Sequence, residues 1–245
     1  MHISDYLLLF GSVLLSGSLF FLVRKPSANA LKLLLSFSGA FLLAITVLHL
    51  MPEVYLSSGP GIGIWVMMGF LLQIVLEFFS EGIEHGHVHI HSHKDHGRFP
   101  LTMMISLSLH SFLEGMPLGG IGHTGDHHGH THGLLYGIVL HHVPVAFALT
   151  SMLVGSGITR AKTWFFLLIF AAMAPLGALL SDRLHNQALG TLSDIYPALM
   201  AVVIGIFLHI STTILFESSS DHRFHMKKML AILAGGFIGW LAFSS

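Results

Sequence analysis

Two clusters of ionisable side chains sit inside otherwise apolar runs. One reads Leu109-His110-Ser111-Phe112-Leu113-Glu114-Gly115, the other Leu140-His141-His142-Val143-Pro144. Imidazole nitrogen and carboxylate oxygen together suit a divalent transition metal. His110 and Glu114 are spaced i, i+4, so on a helix they share one face. Two nitrogens and one oxygen from His110, His141 and Glu114 make three ligands, and water or a fourth side chain completes the shell. His142 and Ser111 stand beside them as auxiliary ligands. His49 and Glu53 repeat the i, i+4 spacing, and His209 lies inside another apolar run. The competing reading of such residues is hydrogen-bonded glue between helices. A carboxylate beside three imidazoles in an apolar setting is costly without a cation, which favours the metal reading.

Those apolar runs decide the class of protein. Of 245 residues, 53% are hydrophobic and 9% charged, with a mean hydropathy of +0.76. A water-soluble domain carries roughly a quarter of its residues as charges. Stretches of about 20 mostly apolar residues recur, each long enough to cross a bilayer. The composition predicts an all-α membrane protein, a bundle of eight transmembrane helices forming one domain over residues 1–245. The spans are expected at 6–23, 31–51, 62–81, 99–119, 134–155, 163–181, 195–216 and 227–243. Lipid is the obligatory partner, and a net charge of −1 gives no reason to expect nucleic acid. The chain has no cysteine, which excludes disulfides and thiolate metal sites. The opening Met1-His2-Ile3-Ser4-Asp5-Tyr6 lacks the positive region of a cleaved leader, so the first run is expected to be a retained span.

Basic residues set the orientation. Arg24, Lys25 and Lys32, then Lys94 and Arg98, then Arg160 and Lys162, then Arg223, Lys227 and Lys228 fall in alternate connections. Only Arg183 of the 11 Lys and Arg lies on the other side. This bias predicts that both termini face outward. It also brings His110, Glu114, His141 and His142 to one depth, since spans four and five run in opposite directions. Pro117, Pro144 and Pro175 remove backbone N–H groups and free the carbonyls of Leu113, Leu140 and Ala171 as further oxygen donors.

The same segments resemble the ZIP (Zrt/Irt-like protein) family of metal-ion transporters. His110-Ser111-Phe112-Leu113-Glu114-Gly115 is similar to the family's fourth-span His-Asn/Ser-x-x-Glu-Gly. His49-Leu50-Met51-Pro52-Glu53 resembles its second-span His-Leu-x-Pro-Glu, and Pro175-Leu176-Gly177-Ala178 its sixth span. His141-His142-Val143-Pro144-Val145-Ala146 follows the fifth-span His-x-x-Pro-Glu-Gly except that Val145 replaces the glutamate. The resemblance implies transport of Zn²⁺, or of Fe²⁺, Mn²⁺ or Cd²⁺, with the metal as substrate. It also implies eight spans, outward termini and a His-rich cytoplasmic loop. Without the carboxylate at 145, the family's binuclear centre reduces to a single metal.

Two stretches are rich in histidine. One, at 84–98, carries His85, His87, His89, His91, His93 and His96 and is expected in the cytoplasm. The other, at 120–133, carries His123, His127, His128, His130 and His132 and is expected outside. Both bind metal weakly and exchangeably if they act at all. Glu77, Glu81 and Glu84 are spaced to line the inner end of span three. Gly235-x-x-x-Gly239 permits a close helix contact, within the chain or in a homodimer. Nothing resembles a Gly-rich phosphate loop, so transport is expected to follow gradients. The other readings are an intramembrane zinc hydrolase, which lacks His-Glu-x-x-His here, and a metal sensor or efflux protein. The compact length and bare termini point to a bacterial inner membrane.

Overall fold

The structure, a computed structural model, describes residues 2–22, 28–80, 101–120, 128–186, 196–217 and 226–244. Helices account for nearly all of these. They are α1 (Ile3–Leu22), α2 (Ala28–Ile45), α3 (Met51–Ser58), α4 (Gly63–Ser80), α5 (Leu101–Gly120), α6 (His128–Gly155), α7 (Arg160–Asn186), α8 (Tyr196–Glu217) and α9 (Met226–Ser244). Among the described residues, six helical segments are long and apolar enough to cross a membrane. They are Ile3–Leu22, Ala30–Ser58, Pro60–Phe79, Gly133–Gly155, Arg160–Arg183 and Tyr196–Phe216. α5 is not among them. His110, Glu114 and three serines dilute its hydropathy, and those are the residues that matter chemically.

Three boundaries differ from the sequence expectation. The second span continues past residue 51, because α2 joins α3 through a π-helical turn at Thr46–Leu50. Pro52 has no N–H to give the carbonyl of Leu48, and just before it the Met51 N–H reaches back five residues to Thr46. The helix therefore widens rather than ends, and His49 lies in the widened turn. α6 begins at His128, inside the stretch expected as an outer loop. Polar residues extend a helix readily once its apolar part has formed. α7 likewise runs to Asn186, five residues beyond expectation. The stretch 81–100, with Glu81, Glu84 and its six histidines, and residues 121–127, with His123 and His127, lie outside the described residues.

The bundle is apolar on its outside and polar at its centre. Large exposed side chains such as Leu15, Met67, Phe78, Phe165 and Leu233 face outward, while Gln73, His110, Ser111, Glu114, His141 and His142 are buried. This inversion is what a lipid solvent requires. The most extensive helix contacts are α5 with α7, α2 with α9, α4 with α8 and α1 with α6. Small residues make the closest of them. A Cβ on Gly115 would strike the carbonyl oxygen of Ala174, and one on Gly177 would strike that of Phe112. α5 and α7 thus meet backbone to backbone, which fixes the height of Glu114 beside Gly115. The Gly235-x-x-x-Gly239 face is used within the chain. Gly235 lies on the Phe37 carbonyl, and Gly239 lies against Ala44 and Phe41 of α2.

Hydroxyl groups pin the helices that carry the polar centre. The Ser106 hydroxyl on α5 donates to the Leu76 carbonyl on α4, and the Ser16 hydroxyl on α1 donates to the Val143 carbonyl on α6. Ser106 is one turn before His110, and Leu76 is three residues after Gln73 in the antiparallel helix. The bond therefore sets the register in which His110 meets Gln73.

Candidate metal centre

Three side chains converge from α5 and α6. The Nε2 of His110 lies 3.3 Å from Oε1 of Glu114, and the Nε2 of His141 lies 3.9 Å from the same oxygen. One ligand atom from each of His110, Glu114 and His141 falls within 4.8 Å of the others, and all three residues are buried. Four ligands at zinc bond lengths of 2.0–2.1 Å around a tetrahedron stand about 3.3 Å apart. One edge of the triangle already has that length, and the others contract by an ångström or so when a cation draws them in.

His110 is held from outside the triangle. Its Nδ1 is 3.1 Å from Oε1 of Gln73 on α4, and Gln73 is wholly buried. An amide oxygen only accepts, so Nδ1 carries the proton and the lone pair of Nε2 faces Glu114. In that tautomer two acceptors face each other across 3.3 Å in a buried place, a pair that a bound cation or a second proton on the ring would relieve. A hydrogen-bond partner behind the ring that fixes its orientation and tautomer is characteristic of metal-ligating histidines.

Sequence reading missed Gln73. Its signal was present, because it is a lone amide in the apolar run Gly63–Phe79, four residues before Glu77. Sequence alone gave no reason to pair it with His110 rather than with lipid-facing neighbours.

The auxiliary residues separate. His142 donates to Glu114, with Nε2 2.7 Å from Oε2, on the side of the carboxylate away from the other two imidazoles. Ser111 is wholly buried, and among the described residues its hydroxyl has no hydrogen-bond partner. It stands i, i+3 to Glu114, on the same side of α5. Val145 is buried in an apolar cluster with Val13, Met103, Leu107, Leu149 and Phe170. His49 and Glu53 are not joined to the triangle. They face one another at 4.0 Å at the widened turn, and Glu53 is half exposed. His209 pairs instead with Glu77, as α8 meets α4, with Thr213 3.5 Å away and the Phe70 ring edge-on. Of the carbonyls near the prolines, that of Pro117 accepts from the Tyr196 hydroxyl at 3.3 Å and that of Val143 from Ser16.

The class these features define is a multi-pass helical membrane protein with a histidine–carboxylate cluster buried between its helices that could hold a metal ion. Comparison with known proteins agrees. Residues 99–241, from the start of α5 to near the end of α9, match the family model described as ZIP Zinc transporter, and the chain belongs to that family. It is similar to Zinc transporter ZIP9 of Micropogonias undulatus, 28% identical over 159 residues, covering 62% of this chain and 49% of that protein. Zinc transporter ZIP9-B of Xenopus laevis is 27% identical over 159 residues, covering 62% and 50%. Protein zntD of Dictyostelium discoideum is 24% identical over 172 residues, covering 65% of this chain and 24% of its own length. The chain thus spans about half the length of its ZIP9 relatives.

Proposed function

We propose that this protein moves a divalent transition metal, Zn²⁺ first, across a membrane into the cytoplasm. The ion is held between α5 and α6 by His110, Glu114 and His141, one ion at a time. The observation that carries this reading is the convergence of three buried ligand atoms within 4.8 Å. The zinc-transporter names of its family and relatives support the cargo. Fe²⁺, Mn²⁺ and Cd²⁺ fit the same nitrogen and oxygen donors, so the donor set alone does not choose among them.

Ser111 and water complete the shell around the ion. His49 and Glu53 receive it on the outer side, and the Glu77–His209 pair lies on its way out. Counting α2 with α3 as one span, eight spans form a single transporter domain. The basic connections between alternate spans put both termini outside. With a negative interior, each positive charge gains about 2.3 kcal/mol per 100 mV on entering. Val145 leaves the site with one carboxylate, which favours a mononuclear centre. A homodimer would use a face other than Gly235 and Gly239, which are covered by α2. The relatives, from Micropogonias undulatus, Xenopus and Dictyostelium discoideum, lend no support to a bacterial membrane.

The test is zinc uptake into proteoliposomes by the purified full chain and by His110→Ala and Glu114→Ala. Both variants are expected to lose uptake. Uptake equal to the parent's in both overturns the site.

A further inference from the structure

The sequence offers His142 as an auxiliary ligand, but its geometry fits another task. Its Nε2 is 2.7 Å from Oε2 of Glu114, within the range of a charge-assisted N–H···O⁻ bond. The other carboxylate oxygen, Oε1, is the one turned to His110 and His141. His142 is 1% exposed and does not join the set of mutually close ligand atoms. Its ring stands 5.8 Å from that of Phe170. One turn on, Val145 continues the same side of α6 into an apolar cluster. The Oε2 side of Glu114 therefore meets an imidazole backed by hydrocarbon, and among the described residues no second carboxylate faces it.

We propose that His142 is a positioning residue: it anchors Oε2 of Glu114, so that the carboxylate presents Oε1 alone to the ion and holds no second ion on its far side. The inference rests on the three-ligand site proposed above and names how that site is restricted to one metal. A carboxylate free to rotate would sample bidentate and bridging positions. One held at Oε2 offers Oε1 in one fixed orientation, already turned to His110 and His141. Outer partners of this kind are typically worth 10–100-fold in metal affinity.

Glutamine separates a positioning residue from an imidazole ligand, because its amide N–H still reaches Oε2 while only a neutral carbonyl oxygen, a weaker donor to zinc and a different one in the Co²⁺ spectrum, replaces the ring nitrogen. The experiment titrates the purified full chain in detergent with Zn²⁺ against a chromophoric chelator, and records the visible spectrum of the Co²⁺ form. His142→Gln is expected to keep zinc affinity within about threefold of the parent and to leave the Co²⁺ spectrum unchanged, whereas His142→Leu loses about 10–100-fold. An equal loss in both variants, with a changed Co²⁺ spectrum for His142→Gln, makes His142 a ligand and overturns the proposal. Unchanged affinity in both overturns it as well. If His142→Leu does not fold, the His142→Gln affinity and spectrum decide alone. Glu114→Ala run alongside tells the two readings apart: parental affinity there removes the site itself, whatever His142 does.

Discussion

Gln73 and His110 meet across the α4–α5 contact, with the amide oxygen 3.1 Å from Nδ1, and this bond leaves Nε2 as the ring nitrogen turned to Glu114. The residue that orients the ligand comes from a helix that contributes no ligand to the triangle. Gln73→Leu keeps the bulk and removes the acceptor. It is expected to weaken zinc binding about 10–100-fold, while Gln73→Glu, which keeps an oxygen at the same reach, retains most of it. Zinc affinity measured by chelator competition on the two variants checks this, and equal losses would show that the acceptor oxygen is not what matters.

The height of Glu114 depends on the backbone contact between α5 and α7. A Cβ at 177 falls on the carbonyl oxygen of Phe112, a main-chain atom that cannot step aside. Gly177→Ala is therefore expected to cost about 1–3 kcal/mol through overpacking, and to lower uptake by moving the helix that carries both His110 and Glu114. Thermal unfolding in detergent and uptake in proteoliposomes read the two effects. A melting temperature at or above the parent's would show that the helices have room to part.

Protons compete for the same lone pairs as the metal. Each proton taken up by His110 or His141 removes a ligand. Zinc affinity is expected to fall as the pH drops, because metal and proton compete for the same nitrogens. Binding isotherms from pH 7.5 to pH 5.5 test the sign. Affinity that rises in acid would exclude imidazole ligation.

Val145 occupies a tightly packed apolar place, 1% exposed, where a carboxylate would have no partner of its own. Val145→Glu is expected to melt several degrees lower than the parent without metal, because a buried charge is left uncompensated. Zinc should then raise its melting temperature by more than it raises the parent's, as a cation offsets the new charge. Melting curves with and without zinc check both halves. A metal-free variant as stable as the parent would mean that the side chain escapes the cluster.

Much of the fold was legible because the signals for it are local. Apolar run length fixes where a chain can cross lipid, and the helices fall close to the expected spans. The departures have local causes too. The second span is expected to end at residue 51, yet the backbone adopts a five-residue hydrogen-bond step and continues. The polar residues before Gly133 read as loop, yet the helix extended into them.

The candidate site was legible in part for the same reason. The i, i+4 step joins His110 to Glu114 on one helix face whatever the rest of the chain does. What sequence alone determined about this protein is an all-helical membrane chain with histidines and an acid at one depth. The packing of α4, α5 and α6 decided the rest. It set Gln73 behind His110, divided the two oxygens of Glu114 between different imidazoles, and gave Glu77 to His209. The rotation and register of one helix against another arise from contacts such as Gly115 on Ala174 and Ser106 on Leu76, between residues far apart in the chain. No periodicity within a single helix encodes them.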